Sequence, residues 1–311
     1  MIAFLAVLVA LTASGAWLYT PDKPRAEIEQ AYHATPGDYA DAAGVRLHVR
    51  DTGPRNAPVI IMIHGFGSSL YTWDAWANML STTWRVVRFD LPGFGLTGPD
   101  PTNDYSDERS LAVLAALMDR LEIAHATLVG NSIGGKIAWK FAVENPARVD
   151  RLVLVSPDGF ASPGFEYGKK PDVPAMLRAL PYVLPRYLLR MSLLPAYGDA
   201  AALSDSVVDR YRDMMLVPGV RAAMVARMEQ VTVEDPVPLL GRIEVPTLLV
   251  WGEKDGMIPF ANAYDYLKAI PRSSLAALPG LGHVPQEEAP SASIAPVIRF
   301  LNRTAPHPAS P

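Results

Sequence analysis

The chain has no cysteine. Disulfide cross-links, a thiolate nucleophile and cysteine-held zinc or iron–sulfur centres are thereby excluded. It also lacks an excess of either charge: 28 Lys and Arg face 32 Asp and Glu, a net charge of −4, with no Lys/Arg-rich run. Without a basic field, electrostatic binding to nucleic acid is excluded as the main activity. Charged residues make up only 19% of the 311 residues. That share is below the usual quarter and implies apolar side chains beyond an ordinary core. No internal repeat is present, and the length suits one large α/β domain or two small ones.

The first nineteen residues, MIAFLAVLVALTASGAWLY, carry no charged side chain. As a helix they would extend about 28 Å, close to one bilayer core. A cleaved signal peptide fits the apolar run and the small residues Ser14, Gly15 and Ala16, although no Lys or Arg precedes the run. An uncleaved anchor fits the apolar character continuing through Trp17, Leu18 and Tyr19, aromatics suited to an interfacial belt. A buried N-terminal helix is the third reading. The expectation is a membrane-anchored or exported protein of the cell envelope, with possible membrane association through residues 1–19. Lys23 and Arg25 leave anchoring on the cytoplasmic face open.

Residues 20–38 read as a proline-punctuated connector. Buried strands are then expected at 45–50, 58–63 (PVIIMI), 84–89 (WRVVRF), 127–129, 152–155 and 247–251, with a weaker one at 274–278. Helices are expected from Ser106 or Asp107 to Leu121, over 133–143 and over 291–301. Apolar strands separated by helices predict a mostly parallel, doubly wound sheet built from residues 39–156 and 239–303. Between residues 157 and 238 the alternation fails. This stretch is helix-like, broken by prolines, and holds Met176, Met191, Met214, Met215, Met224 and Met228. It reads as a helical insertion over the strand ends, its methionines either receiving apolar ligands or filling a satellite core. Residues 304–311 read as a flexible tail.

Gly130-Asn131-Ser132-Ile133-Gly134 matches G-x-S-x-G, follows an expected strand and opens an expected helix. The pattern alone is common; that setting gives it weight. A serine hydroxyl needs an adjacent base, and of six histidines His283, in the glycine-rich Gly280-Leu281-Gly282-His283, is best presented. Asp255, past the strand at 247–251, is the preferred acid to orient it, and Asp158 competes for that role. Ser132, Asp255, His283 is the chain order of the α/β-hydrolase fold. For the oxyanion, the backbone N–H groups of Phe66, in His64-Gly65-Phe66-Gly67, and of Ile133 are the candidates. His64 fits a structural role better than that of a second base.

With HGFG at 64–67, DLPGFG at 90–95, GNSIGG at 130–135, WGEKD at 251–255 and GLGH at 280–283, the sequence resembles a lidded serine hydrolase of the α/β-hydrolase fold family. The resemblance covers about residues 39–301. It implies a cofactor-free hydrolase that passes through an acyl-enzyme, with a small-molecule ester as substrate. Dehalogenases and epoxide hydrolases of this fold use a carboxylate where this chain has Ser132. Carbon–carbon hydrolases of ring-cleavage products share the GNS elbow, but usually carry proline and tryptophan where Ser68 and Val284 stand. Their lid arginine has candidates in Arg178, Arg186 and Arg190. A carboxylesterase for apolar acyl or aromatic esters is the preferred reading, ahead of the carbon–carbon hydrolase and of a non-catalytic small-molecule binder.

Overall fold

Short runs of β-branched and aliphatic residues, each closed by a turn, set the sheet. The computed structural model describes residues 18–161, 166–170 and 172–303. Its strands are β1 (Tyr39–Ala42), β2 (Val45–Thr52), β3 (Val59–Ile63), β4 (Arg85–Phe89), β5 (Ala126–Asn131), β6 (Val149–Val155), β7 (Thr247–Gly252) and β8 (Ser273–Leu278). They form one eight-stranded sheet in the order β1-β2-β4-β3-β5-β6-β7-β8. The β1–β2 and β2–β4 pairs are antiparallel, and all pairs from β4 to β8 are parallel. The chain winds outward from β3 in both directions, as a doubly wound sheet does.

Alternation along β3 shows both faces covered. Ile61 and Ile63 join the larger core, which includes Leu114, Leu117, Ile137 and Phe141 of the helices Asp107–Arg120 and Ile133–Glu144. Ile60 and Met62 face the second core with Trp73, Trp76, Ile294, Val297 and Leu301. Ser106 caps the first of these helices, its Oγ accepting from the Arg109 N–H at 3.1 Å. The expected strand and helix centres are found with ends moved by a few residues; the expected last helix runs Pro290–Arg303.

The polar segment expected as a connector is folded onto the domain. It contains the helix Arg25–Ala31, whose Ile28 is buried, and Lys23 pairs with Asp213 at 2.9 Å. Between β6 and β7 the described elements include the helices Arg186–Leu193, Asp205–Met215, Val220–Gln230 and Val237–Leu240, and none of the eight strands. The six methionines there divide by environment. Met214, Met215 and Met224 are buried in the larger core, Met228 lines a cavity, and Met176 and Met191 are exposed.

The expected membrane or envelope location needs correction. Among the described residues no helix is long and apolar enough to cross a membrane. Residues 1–17, on which the anchor and signal readings rested, lie outside the described residues, as does the tail at 304–311. The end of the apolar segment, where an interfacial belt was expected, packs on the insertion instead. Tyr19 bridges to Val183, the Thr20 N–H donates to the Tyr182 carbonyl at 2.8 Å, and Arg221 donates to the Thr20 carbonyl at 2.7 Å. These bonds tie the segment's exit to the insertion.

Candidate active site

Ser132 sits between β5 and the helix Ile133–Glu144 with φ 55° and ψ −122°. This left-handed region is costly for a side chain with a Cβ, and such strain gathers at functional sites. Small neighbours make the turn sterically possible. A Cβ on Gly134 would lie 2.2 Å from the Ile63 carbonyl oxygen, and one on Gly130 2.3 Å from that of Gly134. The G-x-S-x-G glycines therefore let strand, turn and helix pack backbone against backbone.

The His64–Gly67 loop, after β3, lies beside the serine: a Cβ on Gly65 would come within 3.2 Å of Ser132 Cβ. Among the described residues the amides of Phe66 and Ile133 have no hydrogen-bond partner. The Ile133 amide also opens a twelve-residue helix, where the backbone dipole favours negative charge. His64 is fully buried and engaged through both nitrogens: Nδ1 meets the Gly65 carbonyl at 2.8 Å, and Nε2 accepts from the Leu91 N–H at 2.9 Å. Burial holds its imidazole below the ordinary value, so it serves as a neutral strut.

His283 and Asp255 meet with Nδ1 and Oδ2 2.9 Å apart, both largely buried. The second carboxylate oxygen accepts from the amides of Met257 at 2.8 Å and Ile258 at 2.9 Å. Burial alone would push the Asp255 carboxyl up; the His283 contact and the two amides overcome it and hold the group below the usual range. Asp158, the competing acid, has no hydrogen bond to His283. It is half-buried and lines a cavity together with Ile133, and desolvation pushes its carboxyl up.

Asn131 has a role that the motif did not reveal. Its amide nitrogen donates to the Val155 carbonyl at 3.1 Å and the His283 carbonyl at 3.0 Å. The residue before Ser132 thus ties the histidine loop to the elbow across 152 positions of sequence. Asp90 of DLPGFG is likewise structural. It accepts from His48 and from the amides of Leu70 and Leu96, and a Cβ on Gly95 would lie 2.3 Å from its carboxylate.

A cavity of about 230 Å³ opens at the elbow, lined by Phe66, Ile133, Phe160, Leu177, Met228 and Val233 together with Asp158 and Arg227. A larger hollow of about 870 Å³ runs along β8 and the last helix and holds none of the candidate residues. The arginines singled out in the insertion sit elsewhere, in surface ion pairs: Arg178 with Glu229, and Arg186 and Arg190 with Asp205. Carboxylates on the neighbouring helices Asp205–Met215 and Val220–Gln230 draw them there. Arg227, 3% exposed, is the arginine at the cavity. Among the described residues no cluster of three or more His, Asp or Glu side chains converges as a metal-ligand set.

Known proteins resemble this chain in sequence and fold. An uncharacterised protein of Mycobacterium tuberculosis is 31% identical over 279 residues, 85% of this chain and 80% of its own. A 2-hydroxy-6-oxononadienedioate/2-hydroxy-6-oxononatrienedioate hydrolase of Cupriavidus pinatubonensis is 31% identical over 270 residues, 82% of this chain and 90% of its own. The solved structure of a meta-cleavage product hydrolase from Pseudomonas fluorescens IP01 matches with a TM-score of 0.74 at 27% identity, covering 86% of this chain and 98% of that one. Residues 58–290 match the family model described as alpha/beta hydrolase fold. The chain belongs to the α/β-hydrolase fold family, and it is a hydrolase of that family.

Proposed function

We propose that the chain is a serine-dependent hydrolase that cleaves the carbon–carbon bond of 2-hydroxy-6-oxo-dienoates. The observation that carries this reading is Arg227. It lines the cavity at the elbow and has no ion-pair partner among the described residues; its guanidinium keeps one long bond of 3.3 Å to Ser110 Oγ and stands 5.8 Å from the centre of the Phe94 ring. Among the described residues its buried Nε has no hydrogen-bond partner. Two other arginines of the insertion, the half-buried Arg210 and the buried Arg221, each meet a carboxylate at 2.7 Å. A buried cation is ordinarily paired, and a dienoate carboxylate is the anion such a cavity would take. The Cupriavidus relative, named for a substrate of this class, supports the same assignment.

In this reading Ser132 Oγ attacks the 6-carbonyl as its proton passes to His283, and Asp255 steadies the imidazolium. The amides of Phe66 and Ile133 receive the oxyanion; one such donor is worth about 10²–10³ in kcat. The departing carbon takes a proton as its bond to the acyl carbon breaks, because a free carbanion is a poor leaving group. His283, protonated in the first step, supplies it. Water then attacks the acyl-serine, again through His283, releasing a carboxylic acid and regenerating Ser132. Asp158, kept toward its neutral form by burial, opposes a bound carboxylate less than an ionised aspartate would.

Carboxylester hydrolysis is the second reading. It is favoured by Ser68 and Val284, both buried where proline and tryptophan would be usual in carbon–carbon hydrolases, and by the apolar cavity wall. Turnover of 2-hydroxy-6-oxo-6-phenylhexa-2,4-dienoate and of p-nitrophenyl butyrate separates the two. The proposal expects kcat/KM for the dienoate to exceed that for the ester by at least about tenfold. Arg227→Gln should raise KM for the dienoate by about thirtyfold or more. The reverse preference establishes the ester reading, and equal, slow rates for wild type and Ser132→Ala favour a binder.

A further inference from the structure

Two carboxylates follow His283 at the start of the last segment, in the short helix Pro285–Glu288, and the chemistry above uses neither. Glu288 collects three backbone donors. Its Oε2 accepts from the Gly282 N–H at 2.7 Å and the Gly198 N–H at 3.1 Å, and Oε1 accepts from the Asp199 N–H at 2.8 Å. Gly282 immediately precedes His283, whereas Gly198 and Asp199 belong to the helical insertion.

The same junction is joined by direct backbone contact. The His283 N–H donates to the Ala196 carbonyl at 2.8 Å. A Cβ on Gly282 would lie 2.5 Å from that carbonyl, and one on Gly198 would lie 2.2 Å from the Gly280 carbonyl. Glu287 grips the insertion separately, through the Tyr197 hydroxyl at 2.7 Å and an ion pair with Arg210 at 2.7 Å. Hydrogen bonds to a charged acceptor are shorter and stronger than neutral ones. A carboxylate that takes three amides from two segments fixes their relative position.

We propose that Glu288 is a positioning residue for His283: it clamps the loop bearing the imidazole to the insertion, so that the base and the insertion hold one alignment. The inference rests on His283 acting as the base in the reading above. Glu288 touches neither substrate nor Ser132 in this scheme. It acts by limiting how far the Gly282–His283 backbone can drift from Asp255 and the elbow, and a small misplacement of a catalytic group is costly.

The test compares Glu288→Ala and Glu288→Gln in the full chain, well below the melting temperature, in wild-type and His283→Ala backgrounds. Two readouts are followed: kcat and KM on whichever substrate is turned over, and the rate of Ser132 labelling by a fluorophosphonate. Glu288→Ala should lower kcat and labelling by about 10–100-fold with KM within about threefold. Glu288→Gln, which keeps an acceptor oxygen for Gly282, should recover most of the loss. In the His283→Ala background Glu288→Ala should cost nothing further, because residues acting through one another are non-additive. An equal loss in both backgrounds, or a rise in KM with kcat intact, overturns the proposal. If the alanine variant does not fold, solvent exchange of the His283 Nδ1 proton is compared between Glu288→Gln and wild type. Exchange at least about threefold faster supports the clamp, and unchanged exchange overturns it. Full activity in His283→Ala would instead defeat the underlying reading.

Discussion

Three histidines in this chain lie against aspartates at nearly the same distance: His48 on Asp90 and His125 on Asp150 at 2.8 Å, His283 on Asp255 at 2.9 Å. What differs is what else each imidazole can reach. His48 and Asp90 are sealed from solvent, with no hydrogen-bond partner for His48 Nε2 among the described residues, and His125 stands just before β5, at the opposite end of that strand from Ser132. Only the His283 loop is bonded to the residue preceding Ser132. Asp255→Asn keeps the shape but loses an acceptor of fixed charge. It should lower kcat about 10⁴-fold, measured on the substrate identified above, with KM little changed. Ser132, Asp255 and His283 were legible in the sequence because each stands in a local motif. Asn131, Glu288 and Arg227 were not, because their roles depend on partners distant in the chain or, for Arg227, on the lack of an ion-pair partner among the described residues. An unpaired arginine inside a helical stretch looks in sequence like any surface arginine.

At the level of elements, legibility followed burial. Strands β3 to β7 each hold an apolar stretch covered on both faces, so their residues alone announced them. β1 is a four-residue edge strand, Tyr-Ala-Asp-Ala, only partly covered, and Arg25–Ala31 buries Ile28 alone. Neither carries a periodic apolar signal, and tertiary contacts hold both in place. The elbow shows the opposite case, in which backbone proximity constrains sequence. Gly134→Ala would drive a methyl group to 2.2 Å from the Ile63 carbonyl and 2.6 Å from that of His64, backbone atoms that cannot turn aside. A destabilisation of about 1–3 kcal/mol is expected from denaturant melts, with activity lost together with the elbow's geometry.

For the whole molecule, aspartates held inside the domain against histidines and lysines make stability depend on pH. Asp90, Asp107 and Asp255 are all held below the ordinary carboxylate value of 3.8: burial opposes this, and their His48, Lys136, Lys140 and His283 contacts outweigh it. Their contribution is present above 3.8 and is lost as the pH falls through the lower folded-state values. Calorimetry should therefore find Tm falling steeply below about pH 4; each 1 kcal/mol lost costs roughly 2–4 °C in a chain of this size. Asp158 has the opposite sign, since burial raises its carboxyl and the cost of ionising it appears as the pH rises. Asp158→Asn should accordingly raise Tm at pH 7 and leave it unchanged at pH 3. The terminal apolar run was the strongest compositional signal, yet among the described residues it leads only to Leu18–Thr20, and Tyr19 and Thr20 are bonded to the insertion.

The claim on which everything else depends is that Ser132 is the nucleophile and that His283, held by Asp255, activates it. Intact-protein and peptide mass spectrometry after brief exposure to a fluorophosphonate tests it directly. The account predicts one covalent adduct per chain, on the peptide carrying Gly130-Asn131-Ser132. That adduct should be absent in Ser132→Ala and should form at least about a hundredfold more slowly in His283→Ala. An adduct that persists in Ser132→Ala, or a folded wild-type chain that acquires none, would contradict it.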